Sequence, residues 1–122
     1  MSTSQPKDGE TGAERRRSPR YPFVANAEVR EAGSDVRLNA RVSEISLNGC
    51  YLDMVNPLPV GTAVVVKVFT EQEFFESAAT VVYSHPNLGI GLMFRDVSVH
   101  FVPTLRKWLL EAMCTAKSGH RA

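Results

Sequence analysis

The chain has no long apolar run. No stretch approaches the roughly 20 residues that a bilayer-spanning helix needs. The opening Met1-Ser2-Thr3-Ser4-Gln5-Pro6 holds no apolar segment of the kind a secretory signal carries. Both absences point to a cytoplasmic protein. There are only two cysteines, Cys50 and Cys114, with neither CxxC nor Cys/His spacing. They predict free, mostly buried thiols in a reducing compartment rather than a disulfide. The three histidines, His85, His100 and His120, lie far apart and share no ligand spacing, so no metal site is expected. No GxSxG elbow, HExxH pair or GxxxxGK[ST] loop occurs, and Ser46, Cys50 and Cys114 have no marked catalytic partner. The expectation is a protein that is not an enzyme and carries no cofactor. A net charge of +1 excludes a chain that is basic throughout.

What is present fits one small folded unit. At 122 residues the chain has the length of a single domain, and 43% apolar content suits a globular core. Residues 1–13 are almost wholly polar and predict a disordered lead-in. The charge is uneven. Arg15-Arg16-Arg17-Ser18-Pro19-Arg20 holds four of the ten arginines in six residues. Pro19 biases Ser18 away from helix, so residues 14–20 read as an extended or turned arm. Such a strip can be a solvated face, a nonspecific phosphate contact or a specific phosphate clamp. The planar guanidinium fork suits the clamp, because it pairs with phosphate oxygens and with the O6 and N7 edge of guanine.

Period-two patterning follows. Tyr21, Phe23, Ala25, Ala27 and Val29 alternate with mostly polar residues, as in a half-buried strand. After the turn at Glu31–Asp35, Val36, Leu38, Ala40 and Val42 form the inward set of a hairpin partner. At Glu44 the alternation breaks. Continued, it would bury Glu44 and expose Ile45, so a bulge or strand end is expected there. Gly49 suits positive φ or a close backbone approach. Cys50 to Val55 reads as a third strand and Ala63 to Phe69 as a largely buried fourth. In the fifth, Phe75, Ser77, Ala79, Val81 and Tyr83 share one face. Gly89 to Phe94 is the sixth, with glycines where backbone or ligand approaches closely. Phe101, Leu105, Trp108, Leu109, Ala112 and Met113 then form one helical stripe, with Ser98 as a cap and Pro103 near the start.

The pattern predicts an all-β fold with a C-terminal helix: a small six-stranded antiparallel barrel over 21–95, a helix over about 98–115 and a tail at 117–122. The whole domain is expected over 14–116.

Two short motifs occur in order. Arg16-Arg17-Ser18-Pro19-Arg20 fits RxxxR, and Glu44-Ile45-Ser46-Leu47-Asn48-Gly49 fits [DN]xSxxG apart from its first position. A hairpin separates them, and strands and a helix follow. In this the chain resembles the PilZ domain family over roughly residues 14–114. The resemblance implies a six-stranded barrel with a C-terminal helix and cyclic di-GMP as ligand. It implies that Arg16 and Arg20 hold phosphates and guanine edges, with Arg15 and Arg17 either assisting or solvated. Ser46 would offer a hydroxyl, Gly49 would leave room for ligand and tight backbone, and Asn48 would add a polar contact. Glu44 departs from the pattern, keeping the carboxylate but adding a methylene. It can accept from guanine N–H groups or orient an arginine.

The expected function is a cyclic di-GMP receptor whose Arg arm orders on ligand binding and signals to a protein partner. The alternative is a PilZ-like adaptor for motility or polysaccharide machinery that needs no nucleotide. DNA or RNA binding is disfavoured, because no aromatic platform is expected beside the basic strip.

Overall fold

The computed structural model describes residues 19–121. The lead-in 1–13 and Arg15, Arg16 and Arg17 of the arm lie outside the described residues.

Six antiparallel strands close into a barrel in the order β1-β2-β3-β6-β5-β4. They are β1 (Tyr21–Glu31), β2 (Arg37–Ile45), β3 (Gly49–Asp53), β4 (Ala63–Phe69), β5 (Phe74–His85) and β6 (Gly89–Arg95). Helix α1 (Val102–Arg121) follows. Closure leaves each strand with a neighbour on both sides for most of its length, which removes most of the unpaired sheet edge.

Alternation supplies the core. Ala25, Ala27 and Val29 of β1 are buried, as are Val64, Val66 and Val68 of β4. Between its buried valines β4 carries half-exposed residues, so it is an alternating strand rather than a largely buried one. Strand β3 starts at Gly49, one residue earlier than expected, and ends at Asp53 instead of Val55.

Three register shifts interrupt the ladders. Between Pro22 and Ala25 the first strand carries an extra residue against β2. The pairing then moves from Val42↔Leu52 to Glu44↔Tyr51, so Ser43 is extra in β2. It also moves from Val81↔Leu92 to Tyr83↔Gly91, so Val82 is extra in β5. An extra residue sends everything after it to the opposite face. The break expected at Glu44 is therefore a bulge: Val42 and Ile45 are both fully buried, three positions apart. The bulge at Val82 corrects a second expectation. Tyr83 does not continue the inward set of Phe75 to Val81. It pairs with Gly91, whose neighbours Ile90 and Leu92 point inward, and so it lies on the outer face.

Val36 and Leu38 also differ from expectation. They are 66% and 38% exposed. The last β2–β3 pair is Arg41↔Asp53, whereas the β1–β2 hairpin runs on to Arg30↔Arg37. The inward side of this extension has no third strand to cover it.

Helix α1 closes the barrel end where β1 begins. Leu105, Trp108 and Ala112 are buried at helical spacing, while Met113 and Cys114 are exposed. Only Cys50 of the two thiols is therefore in the core. Residues 98–100 are not helix. Ser98 Oγ accepts from the His100 amide and its carbonyl accepts from Phe101, so it shapes the turn ahead of the helix. Pro103, the second helical residue, lacks only an N–H that the first turn leaves unpaired anyway. Trp108 anchors the helix. Its ring lies 5.3 Å from that of Phe23 and 6.4 Å from that of Phe75. Its Nε1 donates to Glu73 Oε2 at 3.2 Å, and Lys107 Nζ meets the same oxygen at 2.9 Å. The charged turn between β4 and β5 thus fastens the helix to the barrel.

Trp108→Ala removes the largest fully buried side chain and its hydrogen bond to Glu73, leaving that carboxylate to Lys107. A loss of about 3–5 kcal/mol is expected in a denaturant titration, as for other buried aromatics cut to alanine. A loss below about 1 kcal/mol would mean that the helix is not part of the core.

Candidate functional site

The two bulges on β2 and β5 create one outer row. Glu44 pairs with Tyr51, Tyr51 with Gly91, and Gly91 with Tyr83. Pro22 of β1 continues the row beyond Glu44. The next row carries Asp53, Gly89 and His85.

Arg20 stands at the head of the first row, one residue before β1. Its Nε lies 3.7 Å from Glu44 Oε1, with the two side chains 51% and 46% exposed. A pair so open to water is worth about 0–1 kcal/mol. It orients Arg20 toward the outer face without locking it there. Of the sequence-predicted residues, the structure therefore brings Arg20 and Glu44 together. Arg15, Arg16 and Arg17 are outside the described residues.

Ser46, Asn48 and Gly49 form the β2–β3 turn. The Ser46 hydroxyl donates to the Gly49 carbonyl at 3.2 Å and accepts from the Asn48 amide at 3.2 Å. The Ser46 amide also donates to the Gly49 carbonyl at 2.8 Å, and the Phe94 amide donates to the Asn48 carbonyl at 2.8 Å. Ser46 is only 5% exposed, so its hydroxyl is occupied in holding the turn. A Cβ on Gly49 would stand 2.0 Å from the Leu92 carbonyl oxygen. Glycine is required there by the approach of β6 backbone. This is the close-approach reading of the sequence, not the positive-φ one. Leu47 and Asn48 are the exposed members of the turn.

Further along, the outer face becomes aromatic. A Cβ on Gly91 would come within 2.5 Å of Tyr83 Cδ2, so the missing side chain lets the Tyr83 ring lie on the strand. At Gly89 a Cβ would stand 2.0 Å from the Leu52 carbonyl oxygen, so the backbone of β3 approaches closely there, and the Tyr51 ring edge lies over the same position at 3.0 Å. The Tyr51 hydroxyl and His85 Nδ1 are 2.9 Å apart; the hydroxyl donates when His85 is neutral with its proton on Nε2. The Tyr83 and His85 rings are nearly parallel, at 12° and 6.3 Å between centroids. An aromatic cluster therefore stands on the same outer face as Glu44, with Tyr51 on the neighbouring strand and Tyr83 and His85 two strands further on. Sequence reasoning missed Tyr51, Tyr83 and His85. The available signal was Gly89-x-Gly91, two bare positions on one strand face that neighbouring rings can cover.

Among the described residues, no cluster of histidine, cysteine and acidic side chains is arranged to hold a metal. Nor is any helix long and apolar enough to cross a membrane. The site offers instead an arginine, a carboxylate and flat ring surfaces, which together can receive an anionic ligand carrying planar bases.

A closed six-stranded barrel capped by one C-terminal helix, with Arg20 just ahead of β1 and turned toward the outer face, defines a class of small binding domains. The PilZ domain family model matches residues 14–111, and the chain belongs to that family. The PilZ domain of YcgR from Escherichia coli, solved with c-di-GMP, is similar in fold, with a TM-score of 0.69 at 16% identity. The match covers 88% of this chain and 98% of that one. The PilZ domain of CeSA from a cellulose-synthesizing bacterium gives a TM-score of 0.60 at 20% identity, over 74% of this chain and 93% of that one. No curated protein matches closely enough to count as a relative.

Burial foremost, then the negative charges of Asp53 and Glu44, raises the Tyr51 phenol above its ordinary value. The fold favours the neutral phenol. Its contribution to stability is present below the usual tyrosine value of about 10 and is lost as pH climbs through the raised value. Phenolate absorbance should show a step that Tyr51→Phe removes. Asp53→Asn should lower that midpoint, and Glu44→Gln should lower it by less. A midpoint unchanged in both variants would contradict the placement of these charges.

Proposed function

We propose that this protein is a cyclic di-GMP receptor whose Arg arm closes over the ligand on the outer face of the barrel. The observation that carries the reading is the Arg20–Glu44 pair at the head of a row that continues through Tyr51 to Tyr83. In this reading Arg16 and Arg20 take the ligand's phosphates and the O6 and N7 edges of guanine. A charge-assisted, two-pronged bond to phosphate is stronger than the exposed ion pair that holds Arg20 in its absence. Glu44 is then released to accept from guanine N–H groups. The added methylene of glutamate is tolerated because the side chain stands on an open face rather than in a closed pocket.

The tyrosine rings offer flat apolar surface against which a base can stack. Asn48, exposed on the turn, lies within the same region and adds a polar contact. Arg15 and Arg17 supplement the arm's charge. Ser46 and Gly49 act chiefly by fixing the turn from which Glu44 and Asn48 project. Ligand binding sets the arm against the barrel, and the surface so formed is what a protein partner reads. The fold of YcgR, solved with c-di-GMP, supports the choice of ligand by analogy.

The second reading is a PilZ adaptor that needs no nucleotide. It is favoured by one observation: Arg20 already has an acidic partner within the chain.

Calorimetric titration with cyclic di-GMP separates the two. The receptor reading expects saturable heat at micromolar ligand. It also expects Arg20→Ala to abolish that heat while leaving the melting temperature nearly unchanged, because the lost ion pair is exposed. Folded wild-type protein that gives no heat with ligand in the tens of micromolar would exclude the receptor and leave the adaptor. A large fall in melting temperature for Arg20→Ala would make that arginine structural.

A further inference from the structure

Two rows of outward positions run side by side across β2, β3, β6 and β5. The first is Glu44, Tyr51, Gly91 and Tyr83; the second is Arg41, Asp53, Gly89 and His85. Tyr51 and Asp53 are two residues apart on β3, with fully buried Leu52 between them, so both project outward. The Tyr51 ring reaches from β3 toward β5. Its edge lies over the bare Gly89, and its hydroxyl meets His85 Nδ1 at 2.9 Å. The His85 ring is tilted 31° from that of Tyr51 and 12° from that of Tyr83, so it links the two tyrosines into one shallow ring surface.

A carboxylate stands on each side of Tyr51. Glu44 is its neighbour across the β2–β3 ladder, and Asp53 follows it along β3. Diagonal neighbours of this kind are about 7–8 Å apart. Both charges act on the phenol, Asp53 more strongly than Glu44. They differ in what else holds them. Glu44 pairs with Arg20 at 3.7 Å. Asp53 is exposed, and although Arg41 stands across the ladder from it, the two form no ion pair among the described residues. An open carboxylate beside flat rings suits one base in particular. Guanine carries N1–H and its 2-amino group side by side, and the two oxygens of a carboxylate can accept from both while the base stacks on a ring.

We propose that Asp53 is a second guanine-reading residue, so that cyclic di-GMP lies across Tyr51 with the edge of one base on Glu44 and that of the other on Asp53. The proposal rests on the receptor reading and adds to it the residue that recognises the second base. The ligand carries two identical guanines, and one carboxylate can serve only one of them. Asp53 accepts from N1–H and the 2-amino group of the second guanine, whose face stacks on the surface shared by Tyr51 and His85. His85 is a positioning residue: by holding the Tyr51 hydroxyl it keeps the ring across Gly89 and beside Asp53.

The test is a calorimetric comparison of cyclic di-GMP with cyclic di-inosine monophosphate, the same ligand without its two 2-amino groups. The wild-type protein should prefer the guanine ligand by about a hundredfold, roughly tenfold for each amino group that meets a carboxylate. Asp53→Asn should cut that preference to about tenfold while the guanine ligand still binds saturably. Adding Glu44→Gln should remove most of what remains. Asp53 is exposed, so Asp53→Asn should keep the wild-type melting temperature. A preference unchanged by Asp53→Asn would overturn the proposal and leave the receptor reading standing. Equal weakening of both ligands would do the same, because it would assign Asp53 to its neighbour Arg41 instead of to a base. Wild-type protein that binds neither ligand would overturn the receptor reading and this proposal together.

Discussion

In a closed barrel of short strands, every strand side chain faces either the core or the solvent. One extra residue exchanges the two for all that follow. The outer site depends on that rule being broken in β2 and β5. Without Ser43 as an extra residue, Ile45 would turn to solvent and Glu44 to the core. Burying Ile45 contributes about 1.5–3 kcal/mol. An unpaired carboxylate in its place would cost several kcal/mol. The two terms have the same sense, so the bulge is the favoured arrangement. Its by-product is a carboxylate projecting outward beside the start of β1. The bulge at Val82 does the same for Tyr83, and the two displaced residues meet in one row across four strands.

Residues of the second motif divide by what they touch. Ser46 and Gly49 face inward chemistry: a hydroxyl engaged by its own turn and a backbone pressed against β6. Glu44 and Asn48 face outward from the same turn. In the proposed receptor reading, a ligand would be met by these projecting side chains, while the short residues between them hold the projection steady. Arg20 completes the arrangement from the other side. Its exposed ion pair is weak enough for a phosphate to displace and strong enough to keep the guanidinium near the site.

Much of the fold was legible because strand alternation and helical spacing leave strong marks. Ala25, Ala27 and Val29, or Leu105, Trp108 and Ala112, can be assigned to a face from spacing alone. The break at Glu44 was legible because a charge and an isoleucine have opposite preferences. At Val82–Tyr83 no such contrast exists. Valine and tyrosine both tolerate either face, so the shift left no trace, and the aromatic platform went unseen with it. Val36 and Leu38 misled for another reason. Their spacing is that of a core strand, but how far β3 extends beside them is a property of the whole sheet. The role of Glu73 was hidden likewise, since a charged turn residue gives no sign that a tryptophan thirty-five positions away will donate to it.

The central claim is that an anionic nucleotide is received on the outer face defined by Arg20, Glu44, Tyr51 and Tyr83. Amide chemical-shift mapping of the isotopically labelled protein with cyclic di-GMP tests it most directly. The account expects the largest shifts at Arg20, Glu44, Asn48, Gly49, Tyr51 and Tyr83, with Val64 to Val68 on the far side of the barrel unmoved. Shifts centred on β4 or on the helix, or a spectrum unchanged at saturating ligand, would contradict it.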